Sequence, residues 1–495
     1  MIRDILIIGG GINGCAVARE AALHGLDVLL VERDDLASHT SAASTKLIHG
    51  GLRYLEHREF GLVREALAER ERLIRAAPHL IRPMPFILPH SPGIRPWWLV
   101  RAGLYLYDAL AWGTKLPGSR GLRASDTMYR TPLKGDVRGF VYWDAFVDDA
   151  RLTLANAVDA AENGAEIRTR TTMESARRQD GLWQVQLSDG QSIAARAIVN
   201  TAGPWVTDAI QRLGLNKKSN VRLVKGSHIV VPKLYDGDHA YIFQLPDRRI
   251  IFSIPWLNDY TQIGTTDIAV RDPGDAQIDT QETAYLCNAV NTYFKTHITP
   301  TDVVDSWSGI RPLYDDGIAE ASGVTRDFVL ELDRSAPVLL SVFGGKITTA
   351  RHLAEKVMEK LGPELGFAPR IVTRDRPFPG GDMASIDGFS RDMHARFAFL
   401  GEARLMRMIH AYGTRLLDLL ADVDDIEDMG ADLGNGLTER ELRWMQAHEW
   451  ACTAEDVLDR RSKLRLGGEP ELGSCVTRAM EAEPGPIQDG LTAPA

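Results

Sequence analysis

The 495-residue chain has only four cysteines, Cys15, Cys287, Cys452 and Cys475, set far apart, with no Cys-x-x-Cys pair and no histidine at zinc-finger spacing. A disulfide framework and a structural metal are therefore not expected. Positive charge is also in short supply: 57 Lys and Arg stand against 67 Asp and Glu, a formal charge of -10. That excludes a global basic field for nucleic acid, so any anionic ligand must be held by a local cluster. Apolar residues at 44% and charged residues at 25% match a soluble globular core and exclude a disordered, collagenous or multi-span membrane chain. Met1 to Asp4 run straight into a short apolar stretch and a glycine cluster, without a small-residue cleavage site behind a long apolar core. A cytoplasmic chain of about two to four domains is expected.

What is present is concentrated first at the amino terminus. Asp4 to Ile8 reads as a strand, and Gly9-Gly10-Gly11-Ile12-Asn13-Gly14 satisfies G-x-G-x-x-G. Gly9 permits the tight turn, Gly11 lets a pyrophosphate approach the backbone, and Gly14 lets the helix pack on the strand. Ala16 to His24 continues as a helix stopped by Gly25, and Asp27 to Val31 is a second strand ending at Glu32. An acid about 20 residues beyond the glycines accepts a bond from a ribose hydroxyl, so the unit predicts a dinucleotide and argues against a 2'-phosphate. It does not separate FAD from NAD. Directly downstream, Ser41 to Gly51 forms a second loop of small, hydroxylated and glycine residues, suited to a second ligand portion.

These segments and six later ones occur in an order that resembles the FAD-dependent glycerol-3-phosphate dehydrogenases, within the D-amino-acid-oxidase-like flavoproteins. The residues that carry the resemblance are Ser44 to Glu56, Trp143 to Leu154, Asn200 to Trp205, Lys225 to Pro232, Ile263 to Asp267, Ser308 to Leu313 and Ser341 to Thr349. It spans roughly residues 4 to 466, with departures mostly between Met383 and Gly436 and in the last 25 to 30 residues. It implies FAD as cofactor, held by Gly9, Gly11, Asn13, Gly14, Glu32, Ser44, Thr45, Lys46, His49, Gly50, Gly51, Thr201, Gly203, Gly345, Lys346 and Thr348. It implies an α/β fold: a Rossmann-like FAD domain, an antiparallel-sheet substrate domain and a carboxy-terminal helical cap.

The coarse element pattern fits that division. Helices are predicted over Glu59 to Ala77, Ala150 to Glu162 and Thr348 to Leu361, with strands at Glu166 to Thr169, Ala197 to Thr201 and Val338 to Val342. Turns at Asp180-Gly181 and Asp189-Gly190 predict hairpins, and residues 220–270 alternate as an antiparallel sheet does. The FAD domain is expected to be discontinuous, over 1–75, 146–212 and 336–362. The substrate domain takes 76–145 and 213–335, the helical domain 386–475, and 476–495 is a tail.

The resemblance implies sn-glycerol 3-phosphate as substrate, oxidised at C2 by hydride transfer to flavin N5. A phosphate of nearly two charges suits the planar fork of arginine, and the resemblance implies Arg53 for that role with help from Tyr54 and further basic groups such as Lys225. His228 is the first choice of proton acceptor, because an imidazole titrates near neutral pH. Arg311 competes, as an electrostatic stabiliser of an alkoxide, and both roles stand open at this level. Lys346 follows a glycine pair and would favour the anionic reduced ring; Thr266 and Asp267 would orient substrate hydroxyls or the base.

Arg95 to Arg101 and Leu104 to Trp112 form an aromatic, basic-edged stretch, interrupted by Arg101 and Asp108 and too short to span a bilayer. It is a candidate for lying in the membrane interface or, equally on sequence alone, for a buried contact between domains. The resembled enzymes are peripheral on the cytoplasmic face of the inner membrane and reduce a quinone; a homodimer is compatible with the pattern. The competing readings are an oxygen-using glycerol-3-phosphate oxidase, an FAD amine oxidase of the D-amino-acid or sarcosine type, and a non-catalytic FAD scaffold.

Overall fold

The computed structural model describes residues 2–90, 95–215, 220–247, 249–315 and 327–482, apart from the side chain of Arg53. Its first layer is a sheet built on the amino-terminal strand Ile2–Ile8, whose last four residues are buried on both faces. Such continuous apolar runs are what a parallel sheet covered by helices requires. Ile2–Ile8 pairs in parallel with Val28–Val31 on one side and Ser192–Asn200 on the other. Glu166–Arg168 extends the sheet beyond Val28–Val31, and Val338–Phe343 extends it beyond Ser192–Asn200, both in parallel. The edge strand Val329–Asp333 then adds antiparallel to Val338–Phe343. The predicted hairpins form as Met173–Gln179, Leu182–Leu187 and the first half of Ser192–Asn200.

The helix Ile12–Leu23 starts at once after the glycine turn, four residues earlier than the sequence reading placed it. Its Ala16, Ala18, Ala21 and Ala22 present little more than backbone, so it packs closely between Asp149–Glu162 and Ala350–Leu365. Within that core Arg19 and Asp159 form a buried pair at 2.6 Å.

The second sheet has ten strands, antiparallel except where Ala240–Gln244 lies parallel to Ile81–Pro89. Next to one edge, Val221–Pro232 is flanked by Tyr260–Gly264 and Ile268–Val270 on one side and the edge strand Asp305–Tyr314 on the other. Two segments differ from the predicted domain division. Leu47–Ile48, inside the stretch assigned to the FAD domain, pairs with Gly139–Val147 in the second sheet. Val329–Asp333, assigned to the substrate domain, belongs to the first sheet. The helix Phe60–Ala76 also serves both, burying Val63 and Leu67 against the second sheet and Leu73 against the first.

The carboxy-terminal unit has its own core, in which Leu405, Met408, Leu442 and Met445 from the helices Glu402–Tyr412 and Glu439–His448 are fully buried. Residues 456–461 form a wide helical turn, and the tail beyond residue 482 lies outside the described residues. Cys15 and Cys287 are buried, Cys452 is exposed, and all four cysteines are free thiols. Among the described residues no helix is long and apolar enough to cross a membrane.

Candidate active site

One cleft of about 1060 Å³ runs from the first glycine turn to the second sheet. That is at the top of the range for a small-molecule pocket, as a long dinucleotide plus substrate requires. At its nucleotide end Gly9 has a φ of +107°, and a Cβ there would sit 2.8 Å from the Thr201 carbonyl oxygen. Gly14 lies behind the wall rather than in it: a Cβ would fall 1.9 Å from the Gly9 oxygen, so the residue sets helix-to-strand packing as predicted. Glu32 is buried in the wall, accepting the Gly10 N–H at 2.6 Å and the Asp34 N–H at 2.9 Å. Thr201 donates its hydroxyl to the Ile8 oxygen at 2.8 Å, tying the neighbouring strand to the turn.

The middle of the cleft is lined by the Ser41 to Gly51 loop. Its shape depends on a buried carboxylate that sequence reasoning did not single out: Asp149, fully buried at the start of Asp149–Glu162, accepts from Ser44 Oγ at 2.7 Å and from Lys46 Nζ at 2.8 Å. Lys46 therefore does not face the cleft. Its ammonium also donates to the Ala42 oxygen and lies over the Trp307 ring, so it braces the loop from behind. Gly50 is likewise a supporting residue, donating its N–H to the Tyr107 hydroxyl at 2.8 Å, and that hydroxyl donates to buried Asp144. Ser44, Thr45, His49 and Gly51 line the cleft, as do Gly9, Gly11, Asn13, Glu32, Thr201, Gly203, Gly345 and Thr348.

Opposite lies the wall built by the second sheet. Side chains alternate across a strand, so Gly226 and His228 of Val221–Pro232 face the cleft while Lys225 and Ser227 point to the other side. This corrects the assignment of Lys225 to substrate. Its ammonium pairs with Glu282 at 2.8 Å and donates to the Gln277 oxygen, away from the cleft. Glu282 is the second unanticipated residue. Buried on Thr280–Asn291, it also accepts from Ser227 Oγ at 2.7 Å and Thr266 Oγ1 at 2.8 Å, clamping a strand of the wall to the connection at 265–267. Thr266 lines the cleft, yet its hydroxyl is committed to Glu282.

His228 is 1% exposed, with Nε2 at 3.0 Å from Thr45 Oγ1 and its ring stacked on Trp307 at 5.4 Å between centroids. Burial, with Arg311 and Lys46 adding, holds the imidazole well below its usual titration range, so it is neutral at pH 7. The absence of a side chain at Gly264 is what admits the ring, since a Cβ there would sit 2.0 Å from His228 Cδ2. Arg311, on the paired strand Asp305–Tyr314, lies over Gly226, donating to Asp267 Oδ1 at 3.0 Å and to Thr265 Oγ1 at 3.3 Å. Across the cleft, Lys346 Nζ is buried without a hydrogen-bond partner among the described residues, 4.3 Å from the centre of the Tyr54 ring. Tyr54 and Asp267 line the cleft; the Arg53 side chain lies outside the described residues.

This arrangement matches known proteins along nearly its whole length. The family model for FAD dependent oxidoreductases matches residues 4–351. The chain belongs to that family. A second model, the C-terminal domain of alpha-glycerophosphate oxidase, matches residues 371–482 of this FAD-dependent oxidoreductase. The glycerol-3-phosphate dehydrogenase of Pseudomonas aeruginosa is 51% identical, covering 94% of this chain and 92% of its own. The D-erythritol 1-phosphate dehydrogenase of Brucella abortus is 50% identical, covering 93% of this chain and 94% of its own, and the aerobic glycerol-3-phosphate dehydrogenase of Escherichia coli 45%, with the same coverage. Among solved structures, the glycerol-3-phosphate dehydrogenase of Bacillus halodurans complexed with FAD has a TM-score of 0.72 at 27% identity, covering 93% of this chain and 86% of that one.

The residues present fit FAD. The glycine turn leaves room beside the backbone at a helix start, where free N–H groups meet a pyrophosphate. Four buried polar atoms of cleft-lining residues, Lys346 Nζ, Asn13 Oδ1, Ser38 Oγ and His228 Nδ1, lack hydrogen-bond partners within the described chain, as a site for a polar ligand would.

Proposed function

We propose that this flavoprotein oxidises the C2 alcohol of sn-glycerol 3-phosphate to dihydroxyacetone phosphate and passes the electrons to a membrane quinone. The observation that carries the first part is the neutral imidazole of His228 in the cleft wall, two residues along the same face of the strand from the Gly226 that Arg311 overlies. When bound, FAD supplies the acceptor for a hydride at N5. His228, kept neutral, takes the hydroxyl proton, with its orientation set by Thr45 and Trp307. Arg311, held by Asp267, stabilises negative charge growing on the substrate oxygen. Arg53 and Tyr54 would receive the phosphate, and Lys346, in the cleft wall, would sit toward the flavin when it is bound.

The acceptor assignment is supported by the far end of the same cleft. There Leu99, Gly103 and Leu106 of the helix Trp97–Leu110 line it together with Phe86, Tyr142 and Phe252. The outer face of that helix exposes Trp98 at 69% and Tyr105 at 60%, and Trp112 just beyond it is 94% exposed. A cleft whose apolar arm opens beside an aromatic surface suits a lipophilic acceptor taken from a membrane interface.

The test is anaerobic bleaching of the purified flavoprotein by sn-glycerol 3-phosphate, with D-erythritol 1-phosphate and a D-amino acid panel as competing substrates. A higher kcat/KM for D-erythritol 1-phosphate would replace the three-carbon substrate with the four-carbon one. Rapid peroxide formation in air without a response to a quinone analogue would replace the quinone with oxygen. Arg53→Ala should weaken substrate binding; an unchanged dissociation constant removes it from the phosphate site.

A further inference from the structure

The nucleotide end of the cleft has two walls that contain little regular structure, residues 32–39 and residues 171–173. They are joined to each other by backbone bonds: Arg170 N–H donates to the Asp34 oxygen and Thr171 N–H to the Glu32 oxygen, each at 2.8 Å. Behind both walls sits the wide turn 456–461 of the carboxy-terminal domain. Asp35, three residues past the ribose acid and 2% exposed, points back into that turn. It accepts from Arg460 Nε at 2.6 Å and from both terminal nitrogens of Arg461, one of them at 2.8 Å. The second wall is held from the same turn, because buried Asp456 accepts from Arg170 Nη2 at 2.7 Å and from Arg460 Nη2 at 2.5 Å. Arg461 is fixed in turn by the Glu449 carbonyl, to which it donates at 2.5 Å.

None of Asp35, Asp456, Arg460 or Arg461 lines the cleft, so the cluster cannot touch a cofactor directly. Two carboxylates and two guanidiniums balance, and each is hydrogen-bonded, which is the condition for burying such charge. Left to itself, a wall of irregular backbone loses conformational entropy on ordering, and a wall already ordered spares the ligand that cost.

We propose that the carboxy-terminal domain is a clamp on the nucleotide end of the FAD site, and that Arg461 is its positioning residue, acting through Asp35 on the segment that carries Glu32. The inference rests on FAD as cofactor and not on the identity of the substrate. Coupling of this kind is reciprocal: if docking of the turn tightens FAD, FAD must tighten the turn.

The experiment uses the full chain, stripped of FAD and reloaded. In Arg461→Met the FAD dissociation constant, read from quenching of flavin fluorescence, should rise at least about tenfold, the effect of a coupling within the usual allosteric range. Arg461→Lys, which keeps a cation opposite Asp35, should recover most of that loss. With FAD saturating, the KM for the polyol phosphate should stay within about twofold of wild type, since the substrate wall is untouched. In the wild-type protein, amide hydrogen exchange across 449–461 should slow when FAD is added. An unchanged dissociation constant in folded Arg461→Met overturns the proposal. So does exchange across 449–461 that is the same in the FAD-free and FAD-loaded wild type, a readout that remains decisive if the variant does not fold.

Discussion

Replacing Lys46 by Met separates two readings of the flavin loop that the sequence alone cannot. As a cofactor ligand, Lys46 would lose FAD affinity on substitution and little else. In the structure its ammonium lies 2.8 Å from Asp149, with both side chains at most 4% exposed, so removing it leaves a buried carboxylate without its counter-ion. Breaking such a pair costs about 3–5 kcal/mol. Asp149 keeps donors from Ser44 Oγ, Ser44 N–H and Ala150 N–H, which places the expected loss near the lower bound, about 3 kcal/mol. For a domain of this size that is a fall of about 6–12 °C in Tm, compared at one scan rate because a chain of several domains unfolds irreversibly. The FAD dissociation constant should rise less than about tenfold, because the side chain does not line the cleft. Adding Asp149→Asn to Lys46→Met should restore at least half of the lost stability, since removing both charges abolishes the unpaired ion. The measurements are thermal scans with and without added FAD, together with FAD titration. A Lys46→Met protein that melts like wild type but binds FAD more than about tenfold less tightly would refute the reasoning and return the ammonium to the cofactor.

Three further outcomes follow from the same geometry. Gly264→Ala, which drives a Cβ to 2.0 Å from His228 Cδ2, should slow anaerobic flavin reduction by about a hundredfold while the flavin spectrum persists; a normal rate would remove His228 from proton transfer. Burial is the main cause holding the His228 pKa down and Arg311 the next, so Arg311→Met should move the acid limb of the pH profile of kcat/KM up, and a limb that stays in place would show that another group sets it. His79, buried beside Arg151 and His410, titrates at about 3, so between there and its unfolded value near 6.5 the unfolded chain binds the extra proton. The stability this histidine confers is full above that unfolded value and should fall with pH by up to about 1.4 kcal/mol per unit, a slope that His79→Asn should flatten in denaturant titrations between pH 7 and 5.

The nucleotide half of the site was legible because its parts are contiguous. Strand, glycine turn, helix, second strand and Glu32 occupy one stretch in which each residue type has a local job, and the structure keeps them in register. The substrate half was legible in type but not in direction. Lys225 and His228 are odd and even positions of one strand and cannot both face the same side, a consequence of period-two alternation that the sequence already contained. Asp149, Glu282 and Tyr107 were not legible. Each has at least one partner more than 50 residues away, and nothing near them in the chain marks that partner. The misplaced boundaries have the same origin, since Val329–Asp333 reads as a strand of either sheet until its neighbour is known.

Those long-range carboxylates are what give meaning to cations that look alike in sequence. Lys46 meets Asp149, Lys225 meets Glu282, Arg151 meets Glu449 and Arg461 meets Asp35, each pair buried and each drawn from two distant segments. A buried cation so matched is an internal tie: its charge is already answered and it has little left for a ligand. Lys346 is the contrasting case, an ammonium in the cleft wall with no hydrogen-bond partner among the described residues. Its ammonium has Glu65 as an electrostatic neighbour but no hydrogen-bonded carboxylate, so its donors remain available toward the cleft. The formal charge of -10 thus says nothing about the sign of the ligand; more telling is which buried cation keeps unused hydrogen-bond donors at the cleft.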